Sequence, residues 1–366
     1  MTPKIIPADK LKAWRQGVSD AGGTLAVVTG AFALWHPGNL AAIREAARVA
    51  SHVCVIIHPP SPKRYDRTRP VSPGAQRGAV MPSVAVRLEM AANLRAVSLA
   101  TTCSSGNAEA AIARLRPFTL VDCLMPKTPG TIATVASATA AIATFARKLA
   151  DHVVDLAPVA GCFTADIQKA IQDGRTPVSV PDAAMAPLPD RHDLDRLLAT
   201  GATGGPAIAG RPLVTVNGCF DVLHLGHVRL LAQASNLGAR LLVLVNDDDS
   251  VRTYKGDGRP IFPIRFRLQA LNALDAVAMA YPFSGDNPLP LLATIRPDIH
   301  VKGGSFEETR VREERRLVES WGGRLEIIPL VEGFSTSGVV KRMAQKQTTD
   351  TRRRTSDTSR KYSGGA

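Results

Sequence analysis

What this chain has little of narrows its chemistry before any motif is found. Its 366 residues include five cysteines (Cys54, Cys103, Cys123, Cys162, Cys219), an odd number, scattered, with no C-x-x-C pair. That argues against a cysteine-held zinc site and against a disulfide framework, and it fits a reducing cytoplasm. Long apolar runs are also missing. The most uniform nonpolar stretch, residues 131–146, is mostly Ala and Thr, too weakly hydrophobic to span a bilayer, and reads as a packed helix. The opening M-T-P-K-I-I-P-A-D-K lacks the apolar core of a signal peptide. Acidic residues are outnumbered, 32 Asp and Glu against 45 Lys and Arg, for a net charge of +13. The excess suits anionic ligands (nucleotides, sugar phosphates, nucleic acid or an acidic surface) without choosing among them. Part of it lies in residues 344–366, which are nearly free of apolar side chains. They read as a disordered basic tail, solvated rather than a nucleic-acid arm.

What the chain does have is organised around Val214–His227, V-T-V-N-G-C-F-D-V-L-H-L-G-H. β-favouring residues run into Asn217 and Gly218, and an apolar helical pattern follows, with Gly238 as its C-cap. A strand, a glycine turn and a helix start leave backbone N–H groups and the positive end of a helix dipole facing one point, which suits a phosphate. His224 and His227, three apart, fall on one face of the first helical turn.

A worn copy of this stretch occurs earlier. G-A-F-A-L-W-H-P-G-N from Gly30 parallels G-C-F-D-V-L-H-L-G-H from Gly218, and the same spacing separates Gly30 from His58 and Gly218 from Asn246. R-L-E-M-A-A-N-L-R-A-V from Arg87 matches R-L-Q-A-L-N-A-L-D-A-V from Arg267, and R-P-F-T-L-V from Arg116 matches R-P-D-I-H-V from Arg296. Each copy then has a strand (152–156; 324–328) and a glycine followed by small residues, G-C-F-T-A and G-F-S-T-S. Landmarks kept in register indicate a tandem duplication. The domains read as 1–175, a linker 176–204 rich in Pro and Asp, 205–343, and the tail. Strands alternating with helical patterns predict α/β architecture in each copy, a Rossmann-like parallel sheet with helices on both faces and ligands at the carboxyl ends of the strands. Asn217, Lys302 and Ser335 all follow expected strands and can converge there.

In order, N-G-C-F-D-V-L-H-L-G-H, Y-K-G-D-G-R-P, R-L-Q-A-L, V-K-G-G and G-F-S-T-S resemble the cytidylyltransferase family. Within it they resemble the adenylyltransferase domain of bacterial ADP-heptose synthesis, which joins D-glycero-β-D-manno-heptose 1-phosphate to ATP. The resemblance is dense over residues 205–343 and an outline only in the first copy. It implies in-line attack by a phosphate oxygen on the α-phosphorus of a nucleoside triphosphate, with Mg²⁺ expected alongside the nucleotide and pyrophosphate as leaving group. It gives His224, His227 and Lys302 catalytic roles. Asn217, Gly218, Cys219, Phe220, Gly226, Ser335, Thr336 and Ser337 are implied on the nucleotide, with Gly226 allowing close phosphate approach. Lys255, Arg267, Gly303 and Asp221 are implied on the substrate side, Asp221 either as a loop-ordering or as a metal-side carboxylate. No protein metal site is implied.

Bland readings stand beside these. Ser335–Ser337 could be an ordinary helix cap, Asp257 and Arg259 turn residues, and His300 a strand residue. Glu307, Glu308 and R-V-R-E-E-R-R read as a solvated helix face. Ser305 stands where relatives commonly carry an acidic residue, and the sugar kinase fused to the heptose enzymes is absent. The first copy has Asn39 for the second histidine, Ala33 for the aspartate and Asp122 for the lysine, which implies a pseudoenzyme serving as a structural partner, an internal pseudo-dimer, or an anion-binding regulatory site. Homo-oligomerisation is left open. The damaged-plus-intact layout also resembles the two-domain ethanolamine-phosphate cytidylyltransferases, so CTP with an alcohol phosphate remains the alternative to ATP with a sugar phosphate. A non-catalytic nucleotide-binding regulator is the alternative of another class.

Overall fold

The computed structural model describes residues 4–58, 82–103, 108–123, 150, 152–156, 164–178, 185, 187–199, 212–285, 287–304 and 308–344. The N-terminal half runs α1 (Leu11–Asp20), β1 (Leu25–Gly30), α2 (Pro37–Val49), β2 (His52–Ile57), α3 (Val84–Ala92), β3 (Leu99–Thr102), α4 (Ala108–Leu115), β4 (Thr119–Cys123), β5 (His152–Leu156) and α5 (Thr164–Gln172). After α6 (Arg191–Ala199) come β6 (Leu213–Gly218), α7 (Leu225–Ser235), β7 (Arg240–Asn246), α8 (Asp248–Lys255) and α9 (Ile264–Asn272). The chain continues through β8 (Met279–Phe283), α10 (Leu289–Ile295), β9 (Ile299–Gly303), α11 (Glu308–Glu319), β10 (Arg324–Ile328) and α12 (Thr336–Ala344).

Each half forms a five-stranded parallel sheet, ordered β3-β2-β1-β4-β5 and β8-β7-β6-β9-β10. Matched in chain order, the two orders are the same, and the architecture is the α/β one expected. Strands such as β7, R-L-L-V-L-V-N, are buried along both faces because helices cover both. In each sheet the order reverses between the first strand and the fourth, so the crevice at the carboxyl ends opens between β1 and β4 and between β6 and β9. Val216 pairs with Val301, which places Asn217 and Lys302 side by side at the second of these switch points.

The segment read as a linker contains α6, whose Leu194 is fully buried against Leu242, Leu244 and Leu292. Part of the linker therefore belongs to the outer layer of the second sheet. The helix expected over 131–146, Ser305, and the tail from 345 on lie outside the described residues. Among the described residues no helix is long and apolar enough to cross a membrane.

The halves meet through equivalent elements. Leu94 bridges antiparallel to Leu274, its own counterpart. The Arg95 N–H donates to Ala273 O at 2.8 Å, and the Asp275 N–H to Asn93 O at 2.9 Å, two bonds that exchange under a twofold rotation. α3 packs on α7 while α9 packs on α2, and α5 packs on its equivalent α12. One apolar core runs through both sheets from Val28 and Val55 to Val216 and Val243. The geometry is that of an isologous dimer made within one chain.

Candidate active site

β6 ends in Asn217 and Gly218, and the chain turns sharply. A Cβ on Gly218 would come within 3.1 Å of the Phe220 ring, which folds back over it. Phe220 and Val222 have φ of 47° and 54°, left-handed values that cost a bulky or β-branched residue energy unless the surroundings impose them. Asp221 anchors this loop. Its carboxylate, 4% exposed, accepts from Arg259 at 2.9 Å, from the Ile261 N–H at 2.9 and 3.0 Å and from the Phe262 N–H at 3.1 Å. Its carbonyl accepts the Thr336 hydroxyl at 2.7 Å. Asp221 thus orders the loop and is turned away from any ligand, and Arg259 is more than a turn residue.

Arg267 also departs from its expected place. It is 1% exposed and donates to Phe262 O at 3.1 Å, Cys219 O at 2.6 Å, Asn246 O at 2.8 Å and the Asp248 carboxylate at 2.7 Å. A guanidinium bonded on every side inside the protein clamps the ends of β6 and β7 together and does not present itself to a substrate phosphate. Cys219 sits above this clamp, its thiol pushed up by burial and within 4.0 Å of Asn246.

α7 begins with His224 as N-cap, its Nδ1 accepting from the His227 N–H at 3.3 Å. The two imidazoles stack with centroids 3.7 Å apart, and Phe220 meets His227 edge-on at 5.3 Å. Burial, then the neighbouring His224 and Lys255, hold the His227 pKa well below 6.5, so the ring is neutral at pH 7. Its Nδ1 is buried without a hydrogen-bond partner. Lys255, at the end of α8, is exposed and close enough for its charge to act on both His227 and Cys219.

Lys302 donates to Asn217 Oδ1 at 2.9 Å and to Glu314 Oε1 at 2.9 Å, with Oε2 at 2.8 Å. Glu314 comes from α11, where Val311, Glu314 and Val318 form a buried stripe. The R-V-R-E-E-R-R helix is therefore not solvated all round. Burial would raise the Glu314 pKa, but His300 and Lys302 outweigh it and hold it low. His300, fully buried on β9, has Nδ1 2.8 Å from the Thr215 hydroxyl and Nε2 3.6 Å from Glu314. Neither His300 nor Glu314 stands out in the sequence as a site residue; the signal is a Glu sharing the helical stripe of two valines.

The G-F-S-T-S segment closes over the start of α7. A Cβ on Gly226 would lie 2.9 Å from Phe334 Cβ and 3.1 Å from the His224 ring, so this glycine is required by the protein's own packing. Gly303 is similarly constrained, since its Cβ would strike Leu230 of α7 at 2.3 Å. Ser335 caps α12 through Gly338 N at 3.1 Å, Thr336 is spent on Asp221, and Ser337 is exposed.

The corresponding turn in the N-terminal half is closed. His36 Nδ1 accepts from the Asn39 N–H and Asn39 Oδ1 from the His36 N–H, both at 3.4 Å, a reciprocal capping box. Burial lowers the His36 pKa to about 4. Arg87 repeats the Arg267 clamp on Pro82, His58 and Ala31 carbonyls, but its second terminal nitrogen, which in Arg267 meets Asp248, is buried and unpaired.

Residues 215–351 match the family model described as cytidylyltransferase-like. The chain is 45% identical over 134 residues to the bifunctional protein HldE of Coxiella burnetii, covering 37% of this chain and 28% of that protein. It is 38% identical over 215 residues to the bifunctional protein HldE of Koribacter versatilis, covering 56% of this chain and 43% of that protein. The matches thus span less than half the length of these relatives. A solved lipopolysaccharide core biosynthesis protein from Thermoplasma volcanium aligns with 33% of this chain and 98% of its own, at 28% identity and a TM-score of 0.29.

Proposed function

We propose, from a C-terminal half that is a cytidylyltransferase-like domain, that this chain transfers AMP from ATP to a sugar 1-phosphate, a heptose 1-phosphate foremost, releasing pyrophosphate. The observation that carries the reading is the pair of stacked histidines at the start of α7, beside Asn217 and Lys302 at the switch point. An acceptor phosphate oxygen attacks the α-phosphorus in line as the bond to the pyrophosphate oxygen breaks. Charge grows on the transferring group, and the protein contributes positioning and electrostatic stabilisation. The donors available for that need are the first N–H groups of α7, the imidazole N–H groups of His224 and His227, and the ammonium groups of Lys255 and Lys302.

Mg²⁺ is expected with the triphosphate. The described residues hold no cluster of three His, Cys, Asp or Glu to chelate it, and Asp221 and Asp248 are engaged by arginines. They form no protein cage for the ion.

The N-terminal half serves in this reading as a non-catalytic structural partner, a duplicated copy whose helix start is capped by Asn39 and whose histidine pair is gone. The test is pyrophosphate release from ATP and from CTP over a panel of sugar and alcohol phosphates, with His227→Asn alongside. Heptose 1-phosphate with ATP should be the best pair, and His227→Asn should lower kcat roughly 10²- to 10³-fold. CTP with an alcohol phosphate winning would change the substrates. Nucleotide binding without release under any pairing would leave a regulator and end the enzyme reading.

A further inference from the structure

Glu314 and His300 are buried titratable groups for which nucleotidyl transfer, as drawn above, has no use. We propose that Glu314 is a positioning residue for Lys302, with His300 packed behind it, and that it sets the lysine for transfer at the expense of nucleotide affinity. The inference rests on the transferase reading and extends it to a residue outside every motif.

A lysine ammonium on a flexible four-carbon stem has no preferred direction of its own. Here two acceptors hold it, Glu314 Oε1 and Asn217 Oδ1, each at 2.9 Å, with Glu314 Oε2 in ion-pair contact at 2.8 Å. His300 lies behind Glu314, its Nε2 3.6 Å from Oε2 and outside hydrogen-bond range, and is itself held through Nδ1 at the Thr215 hydroxyl. The His300 ring turns its Nε2 edge toward that carboxylate. The linkage starts on β6 at Thr215, passes through β9 and α11, and returns to β6 at Asn217. The N-terminal half has Val27, Leu120, Asp122 and Thr29 at the corresponding positions, yet builds a sheet of the same order. The fold therefore does not need this network, and it is found only beside the intact histidine pair.

A carboxylate this near the switch point repels a triphosphate while it holds the lysine, so removing its charge should separate binding from turnover. In the full chain, Glu314→Gln should leave the Kd for ATP or CTP unchanged or tighten it up to about tenfold, and lower kcat about tenfold or more. In a Lys302→Ala background, the same substitution should change both quantities less than about twofold, because the two residues act as one unit. Losing the same factor in kcat with and without Lys302, or weakened binding with kcat intact, would overturn the proposal. If Glu314→Gln does not fold, Glu314→Asp carries the test. It keeps the charge but withdraws it by one methylene, and its loss in kcat must again vanish without Lys302. Calorimetric titration of the same four proteins with nucleotide decides the coupling even where no pyrophosphate is released, so failure of the transfer reading and failure of this one are distinct results.

Discussion

Asn39 and His227 occupy the same position in their respective halves, and the difference between them is a closed helix start against an open one. Asn39 is short enough to return to the His36 N–H, so the first turn of α2 satisfies itself. The His227 ring stacks on His224 instead. The expected role of His36 is therefore in stability rather than in turnover. Its pKa falls from 6.5 to about 4 in the folded chain, so between those values the unfolded chain binds a proton that the folded one refuses. The stability from neutral His36 is complete above about pH 6.5 and is lost as the pH drops toward 4. His36→Asn, which keeps a capping side chain, should flatten the decline in melting temperature between about pH 7 and 5 and leave turnover unchanged. His227 and His300, also lowered by burial, will preserve part of the decline. An unaltered slope, or loss of turnover in a folded protein, would contradict this. The placement of the motif histidines at a helix start and of Lys302 near a strand end was legible because strand, turn and helix follow one another at fixed spacings. Asp221 and Arg267 were legible as important but not as internal, since a charged residue carries no sign in the sequence of whether its partner is a ligand or the backbone of its own loop.

At the scale of elements, the decisive contact is between the start of α7 and the approach to α12. Gly226→Ala would push a methyl to 2.9 Å from Phe334, on the side where α12 is held by Thr336 and Asp221. Overpacking of this kind costs about 1–3 kcal/mol, and here it displaces the segment that roofs the histidine pair. Among the described residues, Gly38→Ala, the same change in α2, meets only the His36 ring at 3.2 Å. Chemical denaturation should therefore show a larger loss for Gly226→Ala than for Gly38→Ala, and only the former should lower transfer activity; equal effects would contradict the asymmetry. The strands 152–156 and 324–328 and the alternation of strands and helices were readable because apolar runs and glycine turns mark them directly. α6 was hidden in a stretch dominated by Asp, Arg and Pro, where only Leu194, Leu197 and Leu198, at helical spacing, betray the face that packs on the second sheet.

For the molecule as a whole, the question is what binds a half without the histidine pair to a half with it, and two kinds of contact compete for the answer. The polar contact is Glu89 on α3 gripping Arg229 on α7, two bonds of 2.7 Å just beyond His227. Both side chains are a third or more exposed, and exposed pairs contribute about 0.2–1 kcal/mol. The apolar contact is the Leu94–Leu274 pair on the pseudo-twofold axis, 3% and 1% exposed, in the core shared by both sheets. Truncating a buried leucine costs about 2–5 kcal/mol. Leu94→Ala lies in the half without the histidine pair, yet it should destabilise the intact half as well. Chemical unfolding should remain one transition at lower midpoint, and transfer activity should decline along that same transition. Glu89→Ala should shift the midpoint by no more than about 1 kcal/mol. If Leu94→Ala instead splits unfolding into two steps with activity following only the later one, the halves are independent and the N-terminal half is not the scaffold of the site. Coincident loss of structure and activity means that the first sheet, without an intact histidine pair of its own, supplies the surface on which the second one folds.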